Sequence, residues 1–180
     1  MKKRKILGID YGDFSIGLAI FDLETDFIYP LKTIFRAKAN VIRKSIREIV
    51  EIVKAENVTD IVVGLPLNAD GTMGERVEKV KTFAHMLENG LTNVGADIIR
   101  PPRMSEINST NLSGEITSEN RRGEQCEPAI PIYFQDERLT TVEAKSILQE
   151  RGIKKTEWKK NIDQIAAEII LSDYKQVNKL

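Results

Sequence analysis

Apolar positions along the chain change their period several times, and each change marks an element. Ile6-Leu7-Gly8-Ile9 is a short continuous apolar run ending at Asp10, and Ile16 to Phe21 is a second one. The few residues between them predict an antiparallel hairpin. Phe27 to Ile34 reads as a third strand, with Pro30 inside it marking an edge or a bend. Ile42, Ile46, Ile49, Val50 and Val53 then recur at helical spacing and predict a helix over 39–56. Asp60 to Leu65 is a continuous apolar strand of the kind that a parallel sheet buries on both faces. After a Gly/Pro/Asn-rich loop over 66–74, Val77, Val80, Ala84, Leu87 and Leu91 mark a second amphipathic helix.

Strand character returns at Ile130 to Phe134 and delivers Asp136-Glu137 at its end. Thr141 is a candidate cap for a helix running to Arg151 and stopping at Gly152. A last helix, from about Asn161 to Val177, turns Ile162, Ile165, Ala166, Ile169 and Ile170 inward. Three leading strands followed by alternating helix and strand predict an α/β domain with a mixed sheet. Residues 93–127 fit no period; nine of the 25 residues from Arg103 to Glu127 are Ser, Thr or Asn. That length without a pattern is unusual inside a compact domain. The expectation is one domain over 1–180 carrying a flexible insertion or a functional flap at about 93–127, with Ile98-Ile99 extending a strand before it.

Composition narrows the chemistry. The single cysteine, Cys126, excludes an internal disulfide and a cysteine-cluster zinc site, and the single histidine, His85, leaves little for imidazole chemistry. A Ser-His-Asp triad therefore has no basis, and an enzyme built here would work with carboxylates. Lys plus Arg and Asp plus Glu each total 27, so no basic field covers the whole surface. Basic residues concentrate locally: Lys32 to Lys54 holds seven against two acids, and Glu137 to Lys160 holds seven against four. Both segments read equally well as solvated helix faces or as contacts for phosphate. No apolar run is long enough to span a bilayer, and the opening Met-Lys-Lys-Arg-Lys precedes too few apolar residues for an export signal. The expected location is cytoplasmic.

Three acids stand where elements end: Asp10 after the first strand, Glu137 after a later strand, and Asp163 in the first turn of the last helix. Strand ends at one edge of an α/β sheet face a common crevice. Ala166 and Ala167 let the last helix approach that edge. Three carboxylates at one point raise one another's pKa unless cations join them, and hard divalent ions bound by oxygen are the natural partner. Two such ions, roughly 3.5–4 Å apart, activate water and stabilise the leaving oxygen in phosphodiester hydrolysis. The competing reading is chance placement, with Asp163 serving only the helix dipole.

Four ordered strings decide between them: Gly8-Ile9-Asp10-Tyr11-Gly12 with Ile16-Gly17-Leu18-Ala19, Val63 to Thr72, Asp136 to Ala144, and Ile162 to Ala167. Together they closely resemble the YqgF/RuvX family of RNase H-like proteins, pre-16S rRNA nucleases also described as Holliday-junction resolvases. The resemblance covers Lys5 to about Leu91 and Ile130 to about Tyr174. It implies an RNase H-like mixed sheet, with antiparallel N-terminal strands and then parallel strands, flanked by helices. It also implies a Mg²⁺- or Mn²⁺-dependent nuclease with Asp10, Glu137 and Asp163 as catalytic and metal-binding acids. Precursor rRNA, and the small-subunit precursor that contains it, are the implied partners, with branched DNA as the alternative and a monomer or homodimer as the working form.

The chain departs from that family twice: Asp13-Phe14-Ser15 stands where a basic residue is usual, and residues 93–127 replace a short loop that leads toward the Glu137 strand. The segment is thereby a candidate to cover, extend or obstruct the cleft. Asn68 in the Gly64 to Thr72 loop, Arg138 beside Glu137, and Lys160 near Trp158 are candidate substrate contacts. Each also has a structural reading: a connector, a neutraliser of acids, and the flank of a partly buried Trp anchor. A noncatalytic RNA-binding assembly factor on the same fold is a rival of a different class. Asp10-Tyr11-Gly12 is also similar to the phosphate loop of actin-like ATPases and sugar kinases, but 180 residues cannot supply the two such domains those enzymes need.

Overall fold

The computed structural model describes residues 4–36, 42–67, 73–92, 130–137 and 140–180, and of residues 140–143, 159 and 160 it describes the backbone alone. The elements follow in the order β1 (Lys5–Tyr11), β2 (Ser15–Asp22), β3 (Phe27–Phe35), α1 (Ile42–Glu56), β4 (Asp60–Leu65), α2 (Glu75–Thr92), β5 (Ile132–Asp136), α3 (Thr140–Glu150) and α4 (Lys155–Asn178). They form a five-stranded sheet in the order β3-β2-β1-β4-β5. The first three strands are antiparallel neighbours, whereas β4 runs parallel to both β1 and β5. The predicted mixed α/β sheet is therefore present, and β3 is the edge strand that Pro30 foretold. The β2–β3 register shifts between Leu18 and Ala19, close to where Pro30 faces Ala19; a residue lacking an amide proton is tolerated at such a break.

Strand alternation sorts the sheet into two faces. Leu7, Ile9, Leu18, Ile20, Ile61 and Val63 pack with Ile46, Ile49 and Val53 of α1 and with Val80, Phe83, Ala84 and Leu87 of α2. On the opposite face Ile6, Ala19, Phe21 and Val62 pack with Ala167, Ile170, Leu171 and Tyr174 of α4. Glycines on that second face let α4 come close. A Cβ on Gly8 would stand 2.5 Å from Leu171 Cγ and 2.9 Å from the Ala167 carbonyl oxygen, so only glycine admits the helix at this depth. Helix α3 packs beside α4 through Ala144, Leu148, Ile165 and Ile169.

The last helix differs from its sequence reading. It begins at Lys155, six residues before the expected start, so Asp163 lies in its third turn and not its first. The helix-dipole explanation for Asp163 falls with that placement, because the dipole's effect is confined to the terminal turn. Trp158 accordingly lies inside α4; its indole N–H donates to the Ile153 carbonyl at 2.8 Å, and its ring packs with the α3–α4 cluster. This is the anchor reading of Trp158. Residues 93–127 with Cys126 and Ile98-Ile99, and the candidate contacts Asn68 and Arg138, lie outside the described residues, as does the Lys160 side chain.

Candidate active site

β1, β4 and β5 are mutually parallel, so their C-terminal ends share one edge, and Asp10 and Glu137 both reach that edge. In β1, Ile6, Gly8 and Asp10 alternate onto the face covered by α4. Asp10 pairs across the hairpin with Gly17, and a Cβ on Gly17 would collide with the Asp163 backbone. The absent side chain at Gly17 is thus what lets Asp163 settle beside Asp10. A parallel device serves the third acid. Gly64, near the end of β4, faces Glu137, and a Cβ there would run into the Glu137 carboxylate and stand 2.5 Å from Ile170 Cδ1. The Glu137 amide also donates to the Leu65 carbonyl at 3.2 Å, which ties the residue to the end of β4.

All three acids are half-buried, and their electrostatics follow from that. Burial, then the neighbouring Asp163 charge, pushes the Asp10 carboxyl up to about 7, against the opposing pull of Arg76. Burial, then Asp10, pushes Glu137 up to about 8; Arg76 again opposes and Asp136 adds to the rise. Asp163 is raised by burial, and a hydrogen bond from the Ser15 hydroxyl partly offsets this. Asp10 is therefore coupled electrostatically to both other acids and is the centre of the group.

The set consists only of carboxylate oxygens, the donor chemistry that suits hard divalent ions. A cation placed among them would relieve the repulsion that raises Asp10 and Glu137. Among the described residues no three His, Cys, Asp or Glu side chains are gathered closely enough to enclose one ion. The coupling runs pairwise through Asp10, which suits carboxylates that complete their coordination with water and phosphate oxygens. The residues fit a divalent cation in that form.

Two further contributors escaped the sequence reading. Arg76, exposed in the first turn of α2, is the cation whose field reaches both Asp10 and Glu137. Ser15 orients Asp163. Arg76 belongs to none of the four strings, and Ser15 stands in the sequence only as part of a departure from the family; what places both is topology. His85 lies on α2 with Nδ1 3.7 Å from Glu88 Oε2, an ordinary helix-surface pairing. In the basic segment over 32–54, Lys32 pairs with Glu48 at 2.6 Å.

The family model RuvX, Holliday junction resolvase, matches residues 4–125 and 115–176. A protein of Lachnospira eligens is 33% identical over 170 residues, covering 94% of this chain and 95% of its own length. One from Chloroflexus aurantiacus is 33% identical over 174 residues, covering 97% and 88%, and one from Carboxydothermus hydrogenoformans is 34% identical over 170 residues, covering 94% and 94%. Each of the three bears the name "Putative pre-16S rRNA nuclease". Among solved structures, Thermus thermophilus RuvC in complex with a Holliday junction substrate superposes with a TM-score of 0.52 at 11% identity, covering 97% of this chain and 96% of that one. At that identity the likeness speaks to the fold alone: the sheet and its flanking helices are RNase H-like.

Proposed function

Because the chain belongs to the RuvX family, we propose that it is a divalent-metal-dependent nuclease whose acids are Asp10, Glu137 and Asp163. One observation carries the proposal: a half-buried Asp10 whose carboxyl is coupled to Glu137 on one side and Asp163 on the other. Such a cluster is costly to maintain in a fold that makes no use of it. Mg²⁺ or Mn²⁺ held by these carboxylates would supply an activated water and stabilise the leaving oxygen of a phosphodiester. The chain's own groups do the rest. Ser15 fixes Asp163, the Leu65 carbonyl fixes the Glu137 backbone, and Arg76 offers a positive charge to a phosphate entering from the α2 side.

The names borne by relatives over nearly their whole length support precursor 16S rRNA as the substrate; on that reading the protein works in the cytoplasm beside the small-subunit precursor. No described helix is long and apolar enough to cross a membrane. The family description supports a four-way DNA junction as the other candidate, and cutting both strands of a junction calls for a symmetric dimer. The test incubates the protein and its Asp10→Asn variant with Mg²⁺ or Mn²⁺ and, separately, labelled pre-16S 5′-flank RNA or a four-way junction. RNA cleavage that the variant lacks is the expected result. Paired nicks in the junction would transfer the activity to DNA. RNA binding with no cleavage by either protein would leave an assembly factor and refute the nuclease.

A further inference from the structure

Two phenyl rings stand in solvent at the acid edge of the sheet. Phe14, in the turn between β1 and β2, is 66% exposed, and Phe35, the last residue of β3, is 56% exposed. Their position relative to the acids follows from register. Ser15 and Phe35 are directly opposed across the β2–β3 ladder, so their side chains leave the sheet on the same face. Ser15 spends its hydroxyl on Asp163. Two residues back on that face, Thr33 is covered by α4, whose Gln164 donates to its hydroxyl at 3.0 Å. Phe35 lies one step past that cover, on the acid side. The turn bearing Phe14 is tied to the same strand end: the Arg36 amide donates to the Phe14 carbonyl at 2.8 Å, and the Arg36 guanidinium donates to the Gly12 carbonyl while lying 4.9 Å from the centre of the Tyr11 ring.

Large apolar rings held in water at a pinned position offer a surface that a partner can cover. Phe35 stands opposite Ser15, which bonds Asp163, and Arg76 brings positive charge to the Asp10 and Glu137 end of the same cluster. An aromatic face and a phosphate-directed cation serving one site are how proteins hold unpaired nucleotides. We infer that Phe35, assisted by Phe14, is a stacking platform for an unpaired base flanking the scissile phosphodiester, so that the cleft takes a single-stranded segment of nucleic acid in preference to continuous duplex. The inference rests on the nuclease reading above and names the form of its substrate.

The test separates the two. In the Asp10→Asn background, which removes turnover, binding of a labelled single-stranded oligonucleotide and of a duplex of the same sequence is followed by fluorescence anisotropy for Phe35→Ala, Phe35→Leu and Phe35→Tyr. Alanine and leucine are expected to weaken single-strand binding by about tenfold or more, tyrosine to preserve it, and duplex binding to change little. A Phe35→Trp variant made with Trp158→Phe should show indole quenching when the single strand binds. Unchanged binding by the alanine variant overturns the platform while leaving the nuclease standing. Leucine performing as well as tyrosine overturns it too, since a mere apolar contact would then suffice. A change of oligomeric state in the alanine variant without nucleic acid would assign the rings to an interface between copies and also overturn it. Absence of any nucleic-acid binding or cleavage by the unsubstituted protein would remove the nuclease reading and the platform together.

Discussion

At the scale of single residues the site is shaped by missing atoms as much as by charged ones. Gly64 leaves the space that the Glu137 carboxylate occupies, and Gly17 leaves the space taken by the Asp163 backbone. Gly64→Ala is expected to lower metal-dependent cleavage by about 100-fold, the scale of an acid misplaced by an ångström, and to cost about 1–3 kcal/mol of stability by overpacking. Cleavage kinetics beside a thermal melt would show whether activity falls far more than stability does. The acids also leave a signature in pH. With Asp10 near 7 and Glu137 near 8, the folded protein binds protons that the unfolded chain releases near pH 4. Stability of the metal-free protein therefore falls as pH rises from about 5 to 8. Asp10→Asn removes the central charge and should flatten that slope, stabilising the protein at pH 8 by on the order of 2 kcal/mol once partial exposure is allowed for. Melts at pH 5 and pH 8, with and without Mg²⁺, check it; a variant as pH-sensitive as its parent would remove the acids as the cause.

At the scale of elements, the opposite edge of the sheet offers a control. Arg4 makes two hydrogen bonds of 2.9 Å to Asp60, which also accepts from the Thr59 hydroxyl at 2.6 Å. Burial alone would raise Asp60, but these bonds outweigh it and hold its carboxyl below the usual range. The link joins the chain entering β1 to the start of β4, far from the acids along both strands. Asp60→Ala should cost about 1–2 kcal/mol, because it removes the two bonds from a solvent-reaching Arg4 and the one from Thr59, while the cleavage rate of the folded fraction stays at the parent value. The contribution exists above the ordinary Asp pKa and fades as pH falls through the lowered one, opposite in sign to that of the acid cluster. A urea melt with a parallel rate measurement distinguishes this variant from Gly64→Ala.

The same scale shows what a reader of the sequence gains and loses. The strand over 60–65 is read to the residue because an uninterrupted apolar run bounded by polar ones has few alternatives. The start of α4 is missed because Lys155 to Lys160 is polar apart from Trp158 and shows no apolar period; the helix there is held by the Trp158 anchor and by its continuation downstream. Asp10, Glu137 and Asp163 are legible because each sits in a recognisable string. Ser15, Arg76 and Phe35 are not, since their placement comes from cross-strand register and from the way α2 leaves β4, neither of which has a local spelling.

At the scale of the whole molecule, topology bears on residues 93–127. Helix α2 opens near the acids, where Arg76 acts on Asp10 and Glu137. It carries the chain away from them over 18 residues, about 27 Å of helix. Strand β5 is entered at the opposite edge, where the Ile61 amide donates to the Pro131 carbonyl at 2.9 Å and Ile132 pairs with Ile61. Both attachment points, Thr92 and Ile130, thus lie downstream of the turn of α2 nearest the acids and upstream of the strand that delivers Glu137. The described contacts that position the acids run through β1, β2, β4, α2 and α4. Replacing 93–127 with a short Gly/Ser linker is therefore expected to keep the fold and to change the cleavage rate on a minimal single-stranded substrate by less than about threefold, as exchanges of a connection between anchored ends commonly do. A rate on that substrate reduced by two orders of magnitude, with the melt unchanged, would show instead that the segment completes the active cleft. Unchanged cleavage of the minimal substrate together with weaker binding of a long precursor RNA would make it an accessory contact for the substrate body, outside the chemistry.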